Sequence, residues 1–314
     1  MEKGVISLGE INPQDIENRG GKATNLAQLH QSGFNVPPGV SISSKYYVKM
    51  IEQIPEARDM LKRLDTTSDF EDVLEIAAAL QILVKLYRMP SDLKGEVESE
   101  IKKLKHGLGF AVRSSASVED RADISFAGQA ESSLCVNGID AVIEATKRVW
   151  LSALSPTVAI YLKTKGIPMS SVRMGVVVQE MIPAEIAGVM FTANVVENNR
   201  AQMLIESTWG LGESLVSGKV VPDSFILEKK SKKIVSKALG TKESIFQYSK
   251  TETVKETTPL LMRERFTLSD VKLAEIAQIG IEIEEQMGSP QDIEWCMRGE
   301  EIVILQSRPI TTLR

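Results

Sequence analysis

Residues 291–310 read QDIEWCMRGEEIVILQSRPI. Two apolar-rich runs flank Arg298-Gly299-Glu300, a pattern that predicts a hairpin of two strands closed by a short glycine-containing turn. Residues at i and i+2 share a face of a strand, so Asp292 lies with Glu294, and Gln306 with Arg308. If the turn pairs these strands, oxygen atoms of Glu294 and Gln306 and the cation of Arg308 converge on one patch. Carboxylate and amide oxygens suit Mg²⁺, which takes a few protein ligands and completes its shell with phosphates and water. The same alternation also describes an ordinary amphipathic hairpin with a solvated outer face, and the pattern alone leaves both readings open.

Moving outward, strands dominate from Val172: VRMGVVVQEMI, AGVMFTA and AQMLIEST come first, then a Gly-rich connector WGLGESLVSGKVVPD, then SFILEKK and KKIVSKAL. A helix is expected over 268–287, just before the hairpin. Within the first of these strands Gln179 and Met181 stand at the end of an apolar run, and a flat apolar slot with a few directed hydrogen bonds is what adenine requires. A core strand surfacing at its end has the same appearance.

Further toward the N-terminus, Phe110-Ala111-Val112-Arg113-Ser114-Ser115 reads as a strand ending in an arginine and hydroxyls, followed by a long loop of poor periodicity that contains Ser125-Phe126-Ala127-Gly128-Gln129. An arginine fork and close-approaching loop amides hold phosphate oxygens well, and a solvated loop with an incidental Arg is the alternative. Residues 41–105 carry helical periodicity. Gly20-Gly21-Lys22 opens a short helix, where free amides and the helix dipole favour an anion and the lysine adds a mobile charge. The spacing is not that of a Walker A loop. Helices and strands mix without regular βαβ alternation, so the fold class expected is α+β, with a boundary near residue 170.

The 314 residues suffice for two ordinary domains, 43% of them hydrophobic. Lys and Arg total 37 against 42 Asp and Glu, a net charge of −5, and basic residues are not massed, which argues against a nucleic-acid or anionic-membrane partner. No apolar run approaches the ~20 residues of a membrane span, and MEKGVISLGE is not a secretory leader, so a cytoplasmic location is expected. Cys135, Cys296, His30 and His106 cannot assemble a zinc site, and the thiols are expected to be buried and inert.

In order and spacing, GGKATNL, AVRSSASVED, SFAGQ, VVVQEMI, AGVMFT, GLGESLVSG, QDIEW and LQSRPIT closely resemble the nucleotide-binding domain of the phosphoenolpyruvate synthase, pyruvate phosphate dikinase and rifampicin phosphotransferase family. The resemblance spans nearly the whole chain. It implies an ATP-grasp fold of two lobes clasping ATP, here an N-terminal lobe over 1–170 with a helical insertion and a C-terminal lobe over 171–314 carrying the Mg²⁺-binding hairpin. Carried over by motif, Lys22 and Arg113 contact phosphates, Gly128 and Ser132 line the phosphate-side loop, Gln179 and Met181 bound adenine, Glu294 and Gln306 hold Mg²⁺, and Arg308 stabilises the phosphates. Lys22, Arg113 and Arg308 are the residues expected to act in catalysis. Ala23 stands where many relatives carry Gly, a change that leaves Lys22 in place.

The family passes phosphate through a histidine in a Gly-Gly-x-Thr-x-His-like segment of a swivelling domain, and neither His30 nor His106 has that context. The reading is therefore an ATP-binding phosphoryl donor that charges a histidine on a partner chain or on a region beyond Arg314, with the small-molecule acceptor bound elsewhere. A rifampicin phosphotransferase-like enzyme would use the same nucleotide site. From other classes, a nucleotide-binding regulator without transfer would keep this site, and a carboxylate–amine ligase of ATP-grasp type would share the lobes but not the VRSSA and SRPIT motifs.

Overall fold

The computed structural model describes residues 3–104, 107–117, 132–249 and 252–313. Two compact units divide the chain: Met1–Ala27 with Pro38–Met181, and Gln28–Pro37 with Ile182–Arg314.

The first unit contains β1 (Val5–Ser7), α1 (Ile16–Arg19), the start of α2 (Gly21–Gln31), β2 (Gly39–Ile42), α3 (Ser44–Gln53), α4 (Pro55–Thr66), α5 (Phe70–Lys85), α6 (Ser91–Ile101), β3 (Phe110–Ala116), β4 (Ser132–Val136), α7 (Ile139–Ala153), α8 (Pro156–Thr164) and β5 (Met174–Glu180). Its antiparallel sheet runs β1-β2-β5-β3-β4. Alternate residues Val40, Ile42, Phe110, Val112, Val176 and Val178 face one side, where α3, α6 and α7 cover them and α4, α5 and α8 extend the same core. Trp150 of α7 is fully buried there, edge-on to Tyr47 with ring centroids 6.3 Å apart. Helices α3 to α6 fall within the 41–105 stretch of helical periodicity, and α8 carries its own start signals: the Ser155 hydroxyl accepts from Val158 N and Pro156 opens the helix.

The second unit contains β6 (Ile186–Phe191), β7 (Gln202–Trp209), α9 (Glu213–Val216), β8 (Asp223–Glu228), β9 (Ile234–Ala238), β10 (Ser244–Ser249), β11 (Glu252–Thr257), α10 (Leu260–Arg263), α11 (Asp270–Met287), β12 (Gln291–Arg298) and β13 (Glu301–Pro309). The main sheet is antiparallel in the order β13-β12-β6-β7-β8-β9, and β10 pairs with β11 separately. One face, with Met190, Met203, Ile205, Phe225, Ile293 and Trp295, is buried; α11 lies against it so closely that a Cβ on Gly280 would stand 2.5 Å from Met190 Sδ. Ser269 caps the start of α11 by accepting from Lys272 N, and Gly288, left-handed at φ 74°, ends it. The α+β class is borne out.

The contact division differs from the boundary expected near 170. Strand β5 lies hydrogen-bonded between β2 and β3, so the first unit continues to Met181. Gln28–Pro37 sides with the second unit because Ile304 N donates to Asn35 O (2.8 Å) and Asn35 Nδ2 to Ile302 O (3.0 Å). Strands β1, β2 and β4 and the β10–β11 pair were not expected from periodicity; they are short or polar, and tertiary pairing rather than local pattern makes them strands.

A buried ionic knot ties the second unit together. The Asp223 carboxylate, fully buried, takes the Lys242 ammonium and Gly240 N (2.9 Å) on one oxygen, and Thr267 N (2.7 Å) and Thr267 Oγ1 (2.9 Å) on the other. Lys242 Nζ also donates to Gly240 O at 3.0 Å. Asp223→Ala strands a buried ammonium, so urea denaturation should show a loss of about 3–5 kcal/mol, whereas removing both charges together should cost clearly less.

Candidate functional site

In the first unit, the sheet face opposite the core carries Arg113, Ser115, Val177 and Gln179, which alternate with the core-facing residues. Arg113 is registered directly against Ser132 of β4, and Gln179 lies between Ala111 and Gly39. The start of α2 is fastened to this face. Gly20 adopts φ 77°, and a Cβ on it would lie 2.0 Å from Ser115 O, so only glycine admits this approach. Ala23 N then donates to Ser115 Oγ (3.0 Å), and Lys22 Nζ to Ser114 O (2.8 Å). Lys22 is thereby held almost buried at the helix entrance, against the strand that bears Arg113. Met181, half-buried just past β5, is fixed by its N–H to Gly109 O at 3.0 Å. The structure thus brings Lys22, Arg113, Ser132 and Gln179 to one side of one sheet; Gly128 lies outside the described residues.

In the second unit, the face turned away from α11 carries Glu294 opposite Gln306 and Asp292 opposite Arg308. A regular hairpin would not do this. From the turn, Arg298 pairs with Glu301 and Trp295 with Ile304, a register that continued unchanged would set Glu294 against Leu305. A β-bulge at this point makes Leu305 the extra residue and pairs Glu294 with Gln306 instead. Ile304 stays on the buried side, while Gln306 and Arg308 join the carboxylates on the other.

The groups differ in their surroundings. Gln306 is 8% exposed and its Oε1 is buried without a hydrogen-bond partner among the described residues, which leaves this amide oxygen able to accept from water or to meet an ion. Arg308 Nε and Nη2 both donate to Asp292 Oδ2, at 2.9 and 2.8 Å, so the guanidinium is aimed by a fixed carboxylate. Burial pushes the Asp292 carboxyl up, Arg308 pulls it down, and Glu294 adds a smaller upward push; the balance lies above the ordinary value. The hairpin pattern pointed to Asp292 on this face, but its grip on Arg308 depends on the bulged register, which the pattern did not disclose.

The same face carries one more acid that sequence reading missed. Glu206 of β7 pairs with Val189, the residue that also pairs with Glu294, so Gln306, Glu294, Val189 and Glu206 lie in one row across four strands. Glu206 is half-buried, and burial raises its carboxyl above the ordinary 4.5. Its place in the apolar run AQMLIEST gave no local signal. The cysteines lie buried, as expected, with the Cys296 thiol pushed up to about 12 by burial.

Residues 16–314 match the family model described as the pyruvate phosphate dikinase, AMP/ATP-binding domain. A Methanothermobacter thermautotrophicus protein with the name "Probable phosphoenolpyruvate synthase" is 35% identical over 100% of this chain and 47% of its own length. The Pyrococcus furiosus phosphoenolpyruvate synthase is 34% identical over 97% of this chain and 43% of its own length. The Bacillus subtilis rifampicin phosphotransferase is 33% identical over 100% and 36% respectively. The chain therefore spans less than half the length of these relatives.

Two outcomes follow from the geometry. Gly20→Ala forces a Cβ into the Ser115 carbonyl at positive φ and should cost on the order of 2 kcal/mol in chemical denaturation. Folded Glu206 keeps its proton to higher pH than an ordinary carboxylate, so folding takes up a proton above 4.5 and stability falls as pH rises through that window. Glu206→Gln should remove this part of the decline, leaving the variant at least as stable as the wild type at pH 7 in urea titrations. By its match over residues 16–314 and its likeness to these enzymes along 97–100% of its own length, the chain belongs to the pyruvate phosphate dikinase AMP/ATP-binding domain family.

Proposed function

We propose that this chain is the ATP-binding, phosphoryl-donating part of a phosphoenolpyruvate synthase-like phosphotransferase that phosphorylates a histidine on a separate domain or chain. The observation that carries the reading is the bulged pairing of Glu294 with Gln306, whose buried amide oxygen has no donor among the described residues, beside an arginine held in place by Asp292. A carboxylate and a buried amide oxygen are a donor set that fits Mg²⁺ with nucleotide phosphates completing its shell. When bound there, Mg²⁺ supplies charge neutralisation for the phosphates.

The protein's own residues contribute position and charge. Lys22, anchored on Ser114 O at a helix start, and Arg113, at the strand against which that helix packs, bind phosphate oxygens. Arg308, kept aligned by Asp292, stabilises charge as it develops on the transferring group. Ser132, registered against Arg113, and Gly128 line the phosphate side, and Gln179 and Met181 bound the base. No nucleophile is required among them, since the acceptor histidine attacks. The small-molecule acceptor is then bound elsewhere.

The rifampicin phosphotransferase relative, similar over the whole of this chain, supports a second reading in which the final acceptor is an antibiotic. The nucleotide chemistry is the same in both.

Calorimetry with Mg-ATP tests the proposal. Wild type should bind, and Lys22→Ala, Glu294→Ala and Arg308→Ala should each weaken binding by about tenfold or more, the usual cost of losing a charged hydrogen bond. Equal affinity in all four proteins would overturn it. Labelled ATP should also transfer phosphate to a histidine domain added in trans.

A further inference from the structure

Glu206 has no role in that scheme, yet its setting is unusual for a structural residue. No hydrogen bond or ion pair to its carboxylate is present among the described residues, and burial alone raises its carboxyl. It lies on the face of Glu294 and Gln306, two strands from Glu294, with Val189 between them. Its neighbours on that face are apolar or small: Val189 and Leu204 are buried, and Ser224 is registered on its other side. Thr208, next along β7 on the same face, is fully buried, and its hydroxyl has no partner among the described residues. Gly212 comes close to Ala187, the partner of Thr208, where a Cβ on the glycine would lie 3.3 Å from Ala187 Cβ; Glu206 itself remains partly open. Apolar and small neighbours around one directed acceptor are the kind of lining that a small-molecule subsite has.

The chemistry narrows what that subsite takes. A carboxylate repels phosphate, so the group it meets is a donor. A second divalent cation would draw most of its oxygen ligands from phosphates and water, and Glu206 lies two strands away from Glu294, on the far side of Val189 from the residues proposed to hold the phosphates. A neutral hydroxyl or amine donor remains. Strands in a sheet are spaced ~4.8 Å apart, so the backbone of Glu206 lies about 10 Å from that of Glu294, a separation that the phosphate chain and sugar of a nucleotide held at Glu294 and Gln306 can span.

We propose that Glu206 accepts a hydrogen bond from a ribose hydroxyl of the bound nucleotide and so selects ribonucleotides over deoxyribonucleotides. The proposal rests on the ATP-binding reading above. The wild-type carboxyl is already partly stripped of water without a donor, and the sugar hydroxyl supplies one.

The test is equilibrium binding of ATP, 2′-deoxy-ATP and 3′-deoxy-ATP, at several Mg²⁺ concentrations, to the 314-residue chain and its Glu206→Ala and Glu206→Gln variants. Wild type should bind ATP about tenfold more tightly than at least one deoxy analogue. Glu206→Ala should lose that factor for ATP and leave the analogue's affinity unchanged, and Glu206→Gln, whose amide oxygen still accepts, should keep part of it. Thermal melting that matches wild type for Glu206→Gln separates the effect from misfolding. Equal wild-type affinity for all three nucleotides overturns the proposal, as does discrimination that survives Glu206→Ala. So does a Glu206→Ala effect that shifts the Mg²⁺ dependence alone, which would make the residue a cation ligand. If wild type binds none of the nucleotides, the ATP-binding reading itself fails.

Discussion

The arrangement of the second unit turns on one extra residue in β13. In an antiparallel ladder a shift of one position sends every following side chain to the opposite face. With Leu305 bulged out, Gln306 and Arg308 emerge beside Glu294 and Asp292; without it they would point toward the packed side with Ile304 and Trp295. A buried arginine and an unpaired amide on that side would conflict with the fully buried Ile293 and Trp295. The bulge therefore keeps the core apolar and gathers the charged and amide groups on the other face by the same device. The aim of Arg308, the pairing of Glu294 with Gln306, and the row that extends to Glu206 all follow from it.

The first unit achieves its arrangement by close approach rather than by register. Gly20 lets the backbone before α2 press against Ser115, and two hydrogen bonds, from Ala23 N and Lys22 Nζ, lock the helix start to β3. A lysine on a flexible four-carbon stem would ordinarily lose rotamer freedom on binding an anion. Here the protein has already restricted it. The cost of that ordering was met in folding, by the same core that α3, α6 and α7 complete on the opposite side of the sheet.

Much of this was legible in the residues. The helices over 41–105, the helix near 268–287 and the terminal hairpin follow from periodicity and caps, and the i, i+2 rule correctly put Asp292 with Glu294 and Gln306 with Arg308. What periodicity could not supply was how the two strands align, because a bulge carries no composition signal in EIVILQSRP. A regular ladder from the same turn would have separated the pairs that the structure joins. Glu206 escaped for a different reason: one acid in an apolar strand says nothing until the strand order puts β7 next to β6 and β6 next to β12. Strand β5 shows the same limit, since only its pairing with β2 and β3 places it in the first unit.

The central claim is that the bulged register makes Glu294 and Gln306 a metal–phosphate site. Anomalous diffraction from crystals of this chain grown with Mn²⁺ and a non-hydrolysable ATP analogue addresses it most directly, because manganese takes the oxygen ligands of magnesium and reports its own position. The account predicts a peak at coordination distance from a Glu294 carboxylate oxygen and from Gln306 Oε1, with Leu305 bulged as described. A peak elsewhere, with Gln306 Oε1 hydrogen-bonded to protein, would contradict it.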